Sequence, residues 1–582
     1  MMKVATELCI FLFNTSCLVL ISGLQLQSMP YDYSATTECV PEPQRAQYGG
    51  GIIVNPGFDH NIKDWTVFEH GTIKERTSND GNTFIVVSNR TQPLDSLSQK
   101  VQLEKEMIYI FSAWFQLSEG SDTISVVFKI NGSELVKGGH VIAKYGCWSL
   151  LKGGIVAKFS SPAEILFESK NPSPGVELWT DSVSLQPFNK TQWRSHQADS
   201  IERVRKSKVT FQVNHLNETS LEGATVVIKQ TKADFPFGCG MNYHILTNIE
   251  YQKWFVSRFK YTTFTNEMKW YSTEKIQGQE NYTIPDAMLK FAKENGISVR
   301  GHAILWDDER FQPQWVKSLS PEELREAAAK RMKSVVSRYS GQLIAWDVVN
   351  ENVHNRFFED KLGENASAVY YSTAYYLDPN TSMFMNEFNT IEFSPDQVAS
   401  PPNYIRKLKQ IQQFPGTTGM LLTIGVQGHF SRGVPNIAYM RSGLDLLGAT
   451  GLPIWLTESS VDSNPNQAMY FEEILREAYS HPDVEGIIMF VGPAQAGFTN
   501  TQLADANFQN TPTGDVVDKL IGEWGTGTHT AIADSRGMID ISLHHGDYDV
   551  TVTHPLIRYS KKLNISVRKG FSPETIHVKM HA

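Results

Sequence analysis

AWDVVNE (345–351) and PIWLTE (453–458) decide the fold, because each is a short apolar run that closes with a glutamate. Apolar runs of four to eight residues are typical of buried parallel strands. In an α/β barrel, the side chains at the carboxyl ends of the strands gather at one rim, which is where such proteins keep their chemistry. The two runs therefore predict that Glu351 and Glu458 lie on one barrel rim.

Six further apolar runs surround these two, and together they predict the whole barrel. They cover residues 236–243, 261–270, 298–306, 382–388, 422–430 and 486–492. Helical stretches such as 320–339 and 466–480 alternate with them. Eight strands over roughly 290 residues have the size and order of a (β/α)8 TIM barrel, which we place at residues 235–524.

The rest of the chain predicts β structure on both sides of this α/β barrel. Residues 49–188 show short alternating runs separated by Asn, Gly, Ser and Pro, which is typical of an all-β sandwich of jelly-roll type. Residues 29–48 read as an irregular lead-in, and residues 189–234 as a connector with a helix and a small β unit. Residues 525–582 predict a small C-terminal β domain.

The first 28 residues predict a cleaved secretory signal peptide. They begin with a basic Lys3, continue with a mostly apolar stretch and end in small residues. The polar residues 14–16 make this stretch a poor membrane span, so no stable membrane insertion is expected after cleavage. Eight acceptor sequons fit a secreted glycoprotein. Their asparagines are Asn89, Asn131, Asn189, Asn217, Asn281, Asn365, Asn380 and Asn564.

The cysteines indicate at most one disulfide. Cys9 and Cys17 lie in the leader, which leaves Cys39, Cys147 and Cys239. This odd number has no metal-ligand spacing, so one free thiol is possible and no metal site is predicted.

Charge and aromatic content narrow the class of ligand. A formal net charge of -9 argues against a nucleic-acid partner, because phosphate binding is dominated by Lys and Arg. A neutral polymer fits better, since 12 Trp, 21 Tyr and 31 Phe are available to stack on sugar rings. The oligomeric state stays open.

Most of the predicted barrel strands end in polar or ionisable side chains. Each of these has an ordinary structural explanation, such as a helix cap or a hydrogen-bonded core residue. Their shared position on six strands favours a site for a hydroxyl-rich ligand. Besides the two glutamates, the residues are Asn266, Glu267, Lys269, His302, Trp306, Asn350, Asn386, Glu387, Gln427 and His429.

Two carboxylates on such a rim are what the hydrolysis of a glycosidic bond requires. One carboxyl group donates a proton to the leaving oxygen. The other attacks the anomeric carbon, or activates a water molecule that does so.

Eight motifs occur in a characteristic order, namely FPFGCGMN, NEMKW, RGHAILW, WDVVNE, FMNEFN, GVQGHF, WLTE and TPTGDVVDKL. In these motifs the chain resembles the plant endo-β-1,4-xylanases of glycoside hydrolase family 10, from about Gly49 to Trp524. Residues 49–188, with NPGFD, CWSLLKGG and DSVSLQPF, resemble a family 22 carbohydrate-binding module. The resemblance implies a secreted cell-wall enzyme that cuts internal bonds of xylan without a metal or organic cofactor.

The resemblance also implies separate roles for the two glutamates. Glu351 corresponds to the general acid/base and Glu458 to the nucleophile of a retaining double displacement. Such a pair stands roughly 5 to 5.5 Å apart, and the acid needs a raised pKa.

By the same resemblance, Asn350 binds the 2-hydroxyl of the sugar next to the cleaved bond, and His429 holds Glu458. The residues expected to line the sugar subsites are Asn266, Lys269, His302, Trp306, Gln427 and Phe490. In the binding module, Arg90 and Glu168 match polar contacts to the ligand.

Several positions depart from the family pattern. Thr265 stands where a Glu is usual, Ser460 where many members have an Asp that supports the histidine, and Phe490 where a Trp is usual. Asp307 replaces a His that is common in microbial members. Three functions therefore stay open: an active xylanase, a catalytically weak or inactive xylan-binding wall protein, and a xylan transglycosylase.

The binding module departs from its pattern as well. Leu94 and Leu166 stand where aromatic residues often stack on xylose rings, which supply much of the contact with a sugar. A sandwich that binds xylan and one that only supports the barrel are therefore both expected possibilities.

Overall fold

The computed structural model of the protein describes residues 29–431, 433–570 and 574–581. The predicted signal peptide lies outside the described residues. None of the helices in these ranges is long and apolar enough to span a membrane. All eight sequon asparagines are exposed, as acceptor sites must be, and their glycosylation stays a prediction.

An all-β sandwich of two five-stranded sheets comes first, as the sequence predicts. The sheets have the orders β1-β4-β9-β6-β7 and β2-β3-β10-β5-β8, and they enclose an apolar core that includes Phe111, Phe128 and Phe167. The strands are β1 (Thr66–Phe68), β2 (Thr72–Thr77), β3 (Thr83–Ser88), β4 (Ser96–Leu103), β5 (Ile108–Leu117), β6 (Ser121–Ile130), β7 (Glu134–Lys144), β8 (Ser149–Val156), β9 (Ser161–Ser169) and β10 (Leu178–Phe188).

A helix and two strands follow: α1 (Lys190–Arg205), β11 (Lys206–His215) and β12 (Thr225–Ala233). Helix α1 begins with a capping box, in which the Asn189 side chain accepts from the Gln192 backbone and the Gln192 side chain accepts from the Asn189 backbone. This pair satisfies two N–H groups near the start of the helix, one of them a helical amide without an intrahelical partner, and so fixes where the helix begins.

The barrel contains the eight predicted parallel strands and five short ones at its edges. The strands of this region are β13 (Phe237–Met241), β14 (Tyr261–Phe264), β15 (Ser298–Gly301), β16 (Leu305–Trp306), β17 (Ala345–Asp347), β18 (Val349–Asn350), β19 (Ser382–Glu387), β20 (Leu422–Val426), β21 (His429–Phe430), β22 (Ile454–Val461), β23 (Val484–Met489), β24 (Gly492–Pro493) and β25 (Gln502–Ala504).

Eight of these strands close into a ring, which confirms the predicted TIM barrel. Their order is β20-β19-β17-β15-β14-β13-β23-β22, and pairing of β20 with β22 completes the ring. All five residues of β20 are buried, because helices cover the outside of the barrel and side chains fill its interior.

Ten α-helices lie in the described part of the barrel region, where they alternate with the strands. They are α2 (Ile249–Val256), α3 (Trp270–Thr273), α4 (Thr283–Glu294), α5 (Pro321–Tyr339), α6 (Phe357–Leu362), α7 (Ala366–Leu377), α8 (Pro401–Gln412), α9 (Ile437–Gly448), α10 (Gln467–Ser480) and α11 (Pro512–Glu523).

Five strands end the chain: β26 (Thr528–Ile532), β27 (Met538–His544), β28 (Gly546–His554), β29 (Ile557–Val567) and β30 (Glu574–Met580). Strand β11 pairs with β27 and β30, and β12 pairs with β26 and β28. The connector strands and the C-terminal strands therefore form one sandwich, whereas the sequence suggested two separate units. One core joins them, with Phe211 and Ile228 packed together with Val550 and Val578.

Contacts of the lead-in and the sandwich fix both to the barrel. Cys39 of the lead-in forms a disulfide with Cys147 of the sandwich. Cys239 is a buried free thiol. Strand β8 lies on helix α9, where the Ser442 hydroxyl donates to the Gly153 carbonyl over 2.9 Å.

Candidate active site

The structure places the predicted rim residues at the carboxyl ends of the barrel strands. Glu351 follows β18, and Glu458 lies inside β22. Gln427 links them, because its side-chain amide donates to Glu351 Oε1 over 3.0 Å and its carbonyl accepts from the Glu458 backbone over 2.9 Å. The two glutamates thus share one neighbour between them.

Glu458 is a buried carboxylate surrounded by donors. Its Oε1 accepts a 2.8 Å hydrogen bond from Asn386, and its Oε2 lies 3.4 Å from His429 Nε2. Burial alone would raise the pKa of Glu458. The charges of His302, His429 and Lys269, together with the His429 hydrogen bond, instead hold that pKa well below its usual range. Glu458 is therefore ionised and able to act as a nucleophile.

His429 is held against Glu458 by Ser460, one of the positions that departs from the family pattern. The Ser460 hydroxyl lies 2.7 Å from His429 Nδ1, and the two residues are paired across β21 and β22. Burial opposes protonation of His429, but its hydrogen bond to Glu458 and the nearby carboxylate charges raise its pKa overall. Ser460 thus keeps the contact to the histidine but brings no negative charge.

His302 is oriented by a buried ion pair. Its Nδ1 lies 2.7 Å from Asp347 Oδ2, and Arg300 donates to the other oxygen of Asp347 over 2.7 Å. His302 Nε2 then faces Glu458 Oε1 at 3.9 Å. The sequence predictions did not include Arg300 or Asp347, although charged residues inside the runs SVRGH and AWD could have revealed the pair, since Arg and Asp are rarely buried unless paired.

Glu351 has the opposite environment to Glu458. It is 9% exposed and accepts from Trp306 Nε1 over 2.8 Å as well as from Gln427. Burial raises the pKa of Glu351 to about 7; the two hydrogen bonds oppose this, and the charges of Glu387 and Glu458 add to it. Its φ of 58° is rare outside glycine, and such strain clusters at functional sites.

Asn386 connects Glu458 to Asn350, which the sequence predicts to bind the sugar. Its amide nitrogen donates to Glu458 and, over 2.9 Å, to Asn350 Oδ1. The sequence placed Asn386 at the end of the fifth strand but gave it no role.

The other predicted sugar contacts lie beside the glutamates. Lys269 Nζ lies 3.2 Å from Asn266 Oδ1 and 4.5 Å above the ring of Trp306. Burial lowers the pKa of Lys269, while the charges of Glu458 and Glu351 oppose this change. The ring of Phe490 meets the ring of His302 edge-on at 6.0 Å. The structure therefore brings these residues together around the two glutamates.

Two acidic residues near the site have contacts that the sequence analysis did not predict. Asp307 binds the start of α6, since it accepts from the Phe358 backbone over 2.9 Å, and burial raises its pKa to about 8. Glu392 accepts a 2.6 Å bond from the Gly428 backbone and contributes charge near His429. Glu392 lies in a loop without any pattern, so only the folded contacts reveal it.

Arg90 and Glu168 lie in the sandwich and not on the barrel rim. Arg90 is 1% exposed, Nε and Nη1 of its guanidinium have no hydrogen-bond partner among the described residues, and burial lowers its pKa to about 10. Glu168 forms an ion pair with Lys137 at 2.5 Å. Leu94 and Leu166 pack with Phe68 in a small apolar cluster, so neither is a flat stacking platform.

Comparisons with known proteins place the sequence in a family. The sequence profile of glycosyl hydrolase family 10 matches residues 227–501, and that of a carbohydrate-binding domain matches residues 50–174. Endo-1,4-beta-xylanase 5-like from Arabidopsis thaliana is 45% identical over 564 residues, with 95% of each chain covered. Endo-1,4-beta-xylanase 4 from the same plant is 44% identical, covering 96% of this chain and 95% of its own.

Solved structures were compared as well. Xylanase 10B from Thermotoga petrophila in complex with xylobiose aligns with 22% identity and a TM-score of 0.44, covering 50% of this chain and 95% of the other. On the full-length similarity to the plant relatives, the chain belongs to glycosyl hydrolase family 10 and carries an N-terminal carbohydrate-binding domain.

Proposed function

We propose that the protein is a retaining endo-1,4-β-xylanase that hydrolyses internal bonds of cell-wall xylan. The observation that carries this proposal is the opposite shift of two carboxyl pKa values on one rim. The pKa of Glu351 is raised to about 7, and that of Glu458 is held well below its usual range. Carboxyl groups that differ in this way can act as an acid and a nucleophile at the same pH.

In the first step, Glu458 attacks the anomeric carbon while Glu351 protonates the leaving glycosidic oxygen. The bond to the leaving sugar breaks, and a glycosyl ester to Glu458 forms. Asn386 and His429 hold the attacking carboxylate in place through their hydrogen bonds.

In the second step, Glu351 acts as a base. The charge of Glu458 contributes to the raised pKa of Glu351, and the ester removes that charge. The pKa of Glu351 therefore falls once the intermediate forms, so that the carboxylate can take a proton from an attacking water. Water then releases the sugar with retained configuration.

The cleft residues supply the sugar contacts in this proposal. Asn350 binds the 2-hydroxyl of the sugar beside the cleaved bond, and Lys269 and Asn266 bind the next unit. Trp306 is stacked on Phe311, with ring centroids 4.0 Å apart, and has Lys269 Nζ over its ring, so it acts through the Nε1–H that it donates to Glu351. Phe490 offers a small apolar wall to the sugar.

Release of reducing ends from arabinoxylan and glucuronoxylan tests the proposal. The folded wild-type protein should release them between pH 4 and 8. Glu458→Gln should lower the rate by roughly a thousandfold or more while binding of xylohexaose persists, because only the covalent step is removed. A near-normal rate in this variant would remove the nucleophile assignment, and tight binding without cleavage by wild type would favour a binding protein.

Xylan binding by the sandwich is a second proposal, supported by Arg90. Two buried guanidinium nitrogens without a hydrogen-bond partner among the described residues are costly, and a sugar hydroxyl would satisfy one of them. Because Leu94 and Leu166 give no stacking surface, this binding should be weak. Xylohexaose is titrated into two proteins, Glu458→Gln and the double variant Glu458→Gln with Arg90→Met. The double variant should show one weak site fewer.

Secretion to the cell wall is supported by the leader sequence and the exposed sequons.

A further inference from the structure

A second charged cluster lies three residues beyond Glu351, and the mechanism above does not use it. The His354 ring lies between two carboxylates, with Nδ1 2.8 Å from Glu387 Oε1 and Nε2 2.8 Å from Asp396 Oδ2. The ring also stacks on Phe388, with centroids 3.9 Å apart and planes 9° apart. Because both nitrogens face anionic acceptors, only the doubly protonated imidazolium satisfies both contacts.

Glu387 ties this imidazolium to the loop that carries Glu351. Its side chain is buried and accepts from the backbone N–H groups of Val353 (2.8 Å), His354 (3.3 Å) and Phe388 (3.0 Å). The Glu351 backbone in turn donates to the carbonyl of Asn386, next to Glu387, over 2.9 Å. The loop after β18 and the end of β19 are thus joined around one carboxylate.

The other side of the imidazolium is fixed by the sandwich. Asp396 also accepts from Asn389 over 2.8 Å. The residues on either side of it contact the sandwich: the Ser394 carbonyl lies 2.5 Å from His140 Nε2, and Gln397 donates to the Ser125 hydroxyl over 3.0 Å. The segment that carries Asp396 therefore rests on strands β6 and β7.

The charges around His354 and Glu351 decide whether the loss of His354 raises or lowers the pKa of Glu351. Burial opposes protonation of His354, but its bonds to Asp396 and Glu387 and their charges raise its pKa to about 10. Glu351 faces Glu387 and Glu458, whose charges raise its pKa, and Gln427 and Trp306, whose hydrogen bonds lower it. The nearby Arg356 is paired with Glu359, Asp360 and Glu364.

We propose that His354 is a positioning residue for Glu351. The imidazolium of His354 offsets the charge of Glu387 with a permanent positive charge, and it joins the loops after β18 and β19. This proposal rests on the function proposed above. Without the cation, the negative charge of Glu387 is uncompensated, and the ionised form of Glu351 becomes less favourable.

The pH profile of kcat/KM on xylohexaose tests the role of the charge. In His354→Gln the pH at which kcat/KM falls on the basic side, the basic limb, should rise by about half a pH unit. The maximal kcat/KM should be roughly tenfold lower. His354→Lys restores a cation and should return the limb to the wild-type position. Asp396→Asn, which loosens the same ring but leaves it paired with Glu387, should not move the limb upward.

Three outcomes would overturn the proposal: an unchanged or lowered limb in His354→Gln, the same limb in the Gln and Lys variants, or an upward shift in Asp396→Asn. A purely structural role lowers activity in all variants without separating their profiles.

A measurement that needs no turnover separates this proposal from the proposed function. The carboxyl carbon of Glu351 can be titrated by NMR in protein labelled with 13C-glutamate, and its signal is assigned by its loss in Glu351→Gln. An upward shift of this titration in His354→Gln supports the proposal even if wild-type protein cleaves no xylan. The absence of that shift overturns it even if wild-type protein is an active xylanase.

Discussion

Two carboxyl groups with different surroundings should give the enzyme a wide pH range. Glu351 must be protonated for the first step, so kcat/KM should fall as the pH rises through about 7, the pKa to which burial raises this group. Glu458 must be ionised, and because its pKa is depressed, the acid limb should lie below about pH 4. The pH profile on xylohexaose checks both limbs, and a basic limb near pH 5 would contradict the environment of Glu351.

Ser460→Ala tests whether an uncharged hydrogen bond from Ser460 holds His429 in place beside Glu458. In Ser460→Ala, His429 Nδ1 loses its partner at 2.7 Å, and the histidine can turn away from Glu458. A lost buried hydrogen bond costs about 1 kcal/mol, so kcat should fall by roughly fivefold. Steady-state kinetics check this value, with Ser459→Ala on the same strand as the control. Equal rates in Ser460→Ala and wild type would show that Ser460 gives no support.

Helix α5 shows how local sequence signals fix an element. The Ser320 hydroxyl accepts from the Glu323 backbone, and the Glu323 carboxylate accepts from the Ser320 backbone. Pro321 stands at the first helical position. Ser320→Ala should therefore destabilise the start of this helix by about 1 kcal/mol. Hydrogen exchange of the amides of residues 322–326 should become roughly fivefold faster, while exchange in α10 stays unchanged. Unchanged exchange at both places would mean that packing alone holds α5.

The sequence predicts those elements whose signal is local. The eight barrel strands follow from apolar runs, and the stretch 320–339 predicts the helix that becomes α5. The ends of the strands are less predictable: the run 261–270 forms a strand only to Phe264, and Asn266 and Lys269 lie beyond it. Pairing of β11 with β30 could not be predicted, because it joins residues far apart in the chain and register depends on tertiary contacts.

The same limit applies to the site. Glu351 and Glu458 could be found because each closes a strand-forming run. The partners that tune them, such as Glu392 and the His354 cluster, lie in loops where no periodicity marks a position. Their effect depends on distances that only the folded chain sets.

At the scale of the whole molecule, a buried network joins the sandwich, the lead-in and the barrel. Lys152 of β8 and Asp445 of α9 form an ion pair at 2.7 Å, with both side chains fully buried. Asp445 also accepts from the Tyr31 hydroxyl over 2.6 Å and lies 3.0 Å from His481 Nε2. The carboxylate therefore has partners in all three parts of the chain, which favours one fixed arrangement over loosely tethered domains.

Breaking this pair should loosen the sandwich from the barrel. Lys152→Met leaves Asp445 buried without its cation, and removing one partner of a buried pair costs about 3 kcal/mol or more. Calorimetry should show a lower melting temperature and separate transitions for the sandwich and the barrel. Replacing both residues, as Lys152→Met with Asp445→Leu, should recover part of the loss, because an apolar pair removes the unpaired charge. The exposed Lys100→Met on the neighbouring sheet serves as the control. A single variant that melts like wild type would show that the remaining contacts of β8 with α9 hold the domains together without the ion pair.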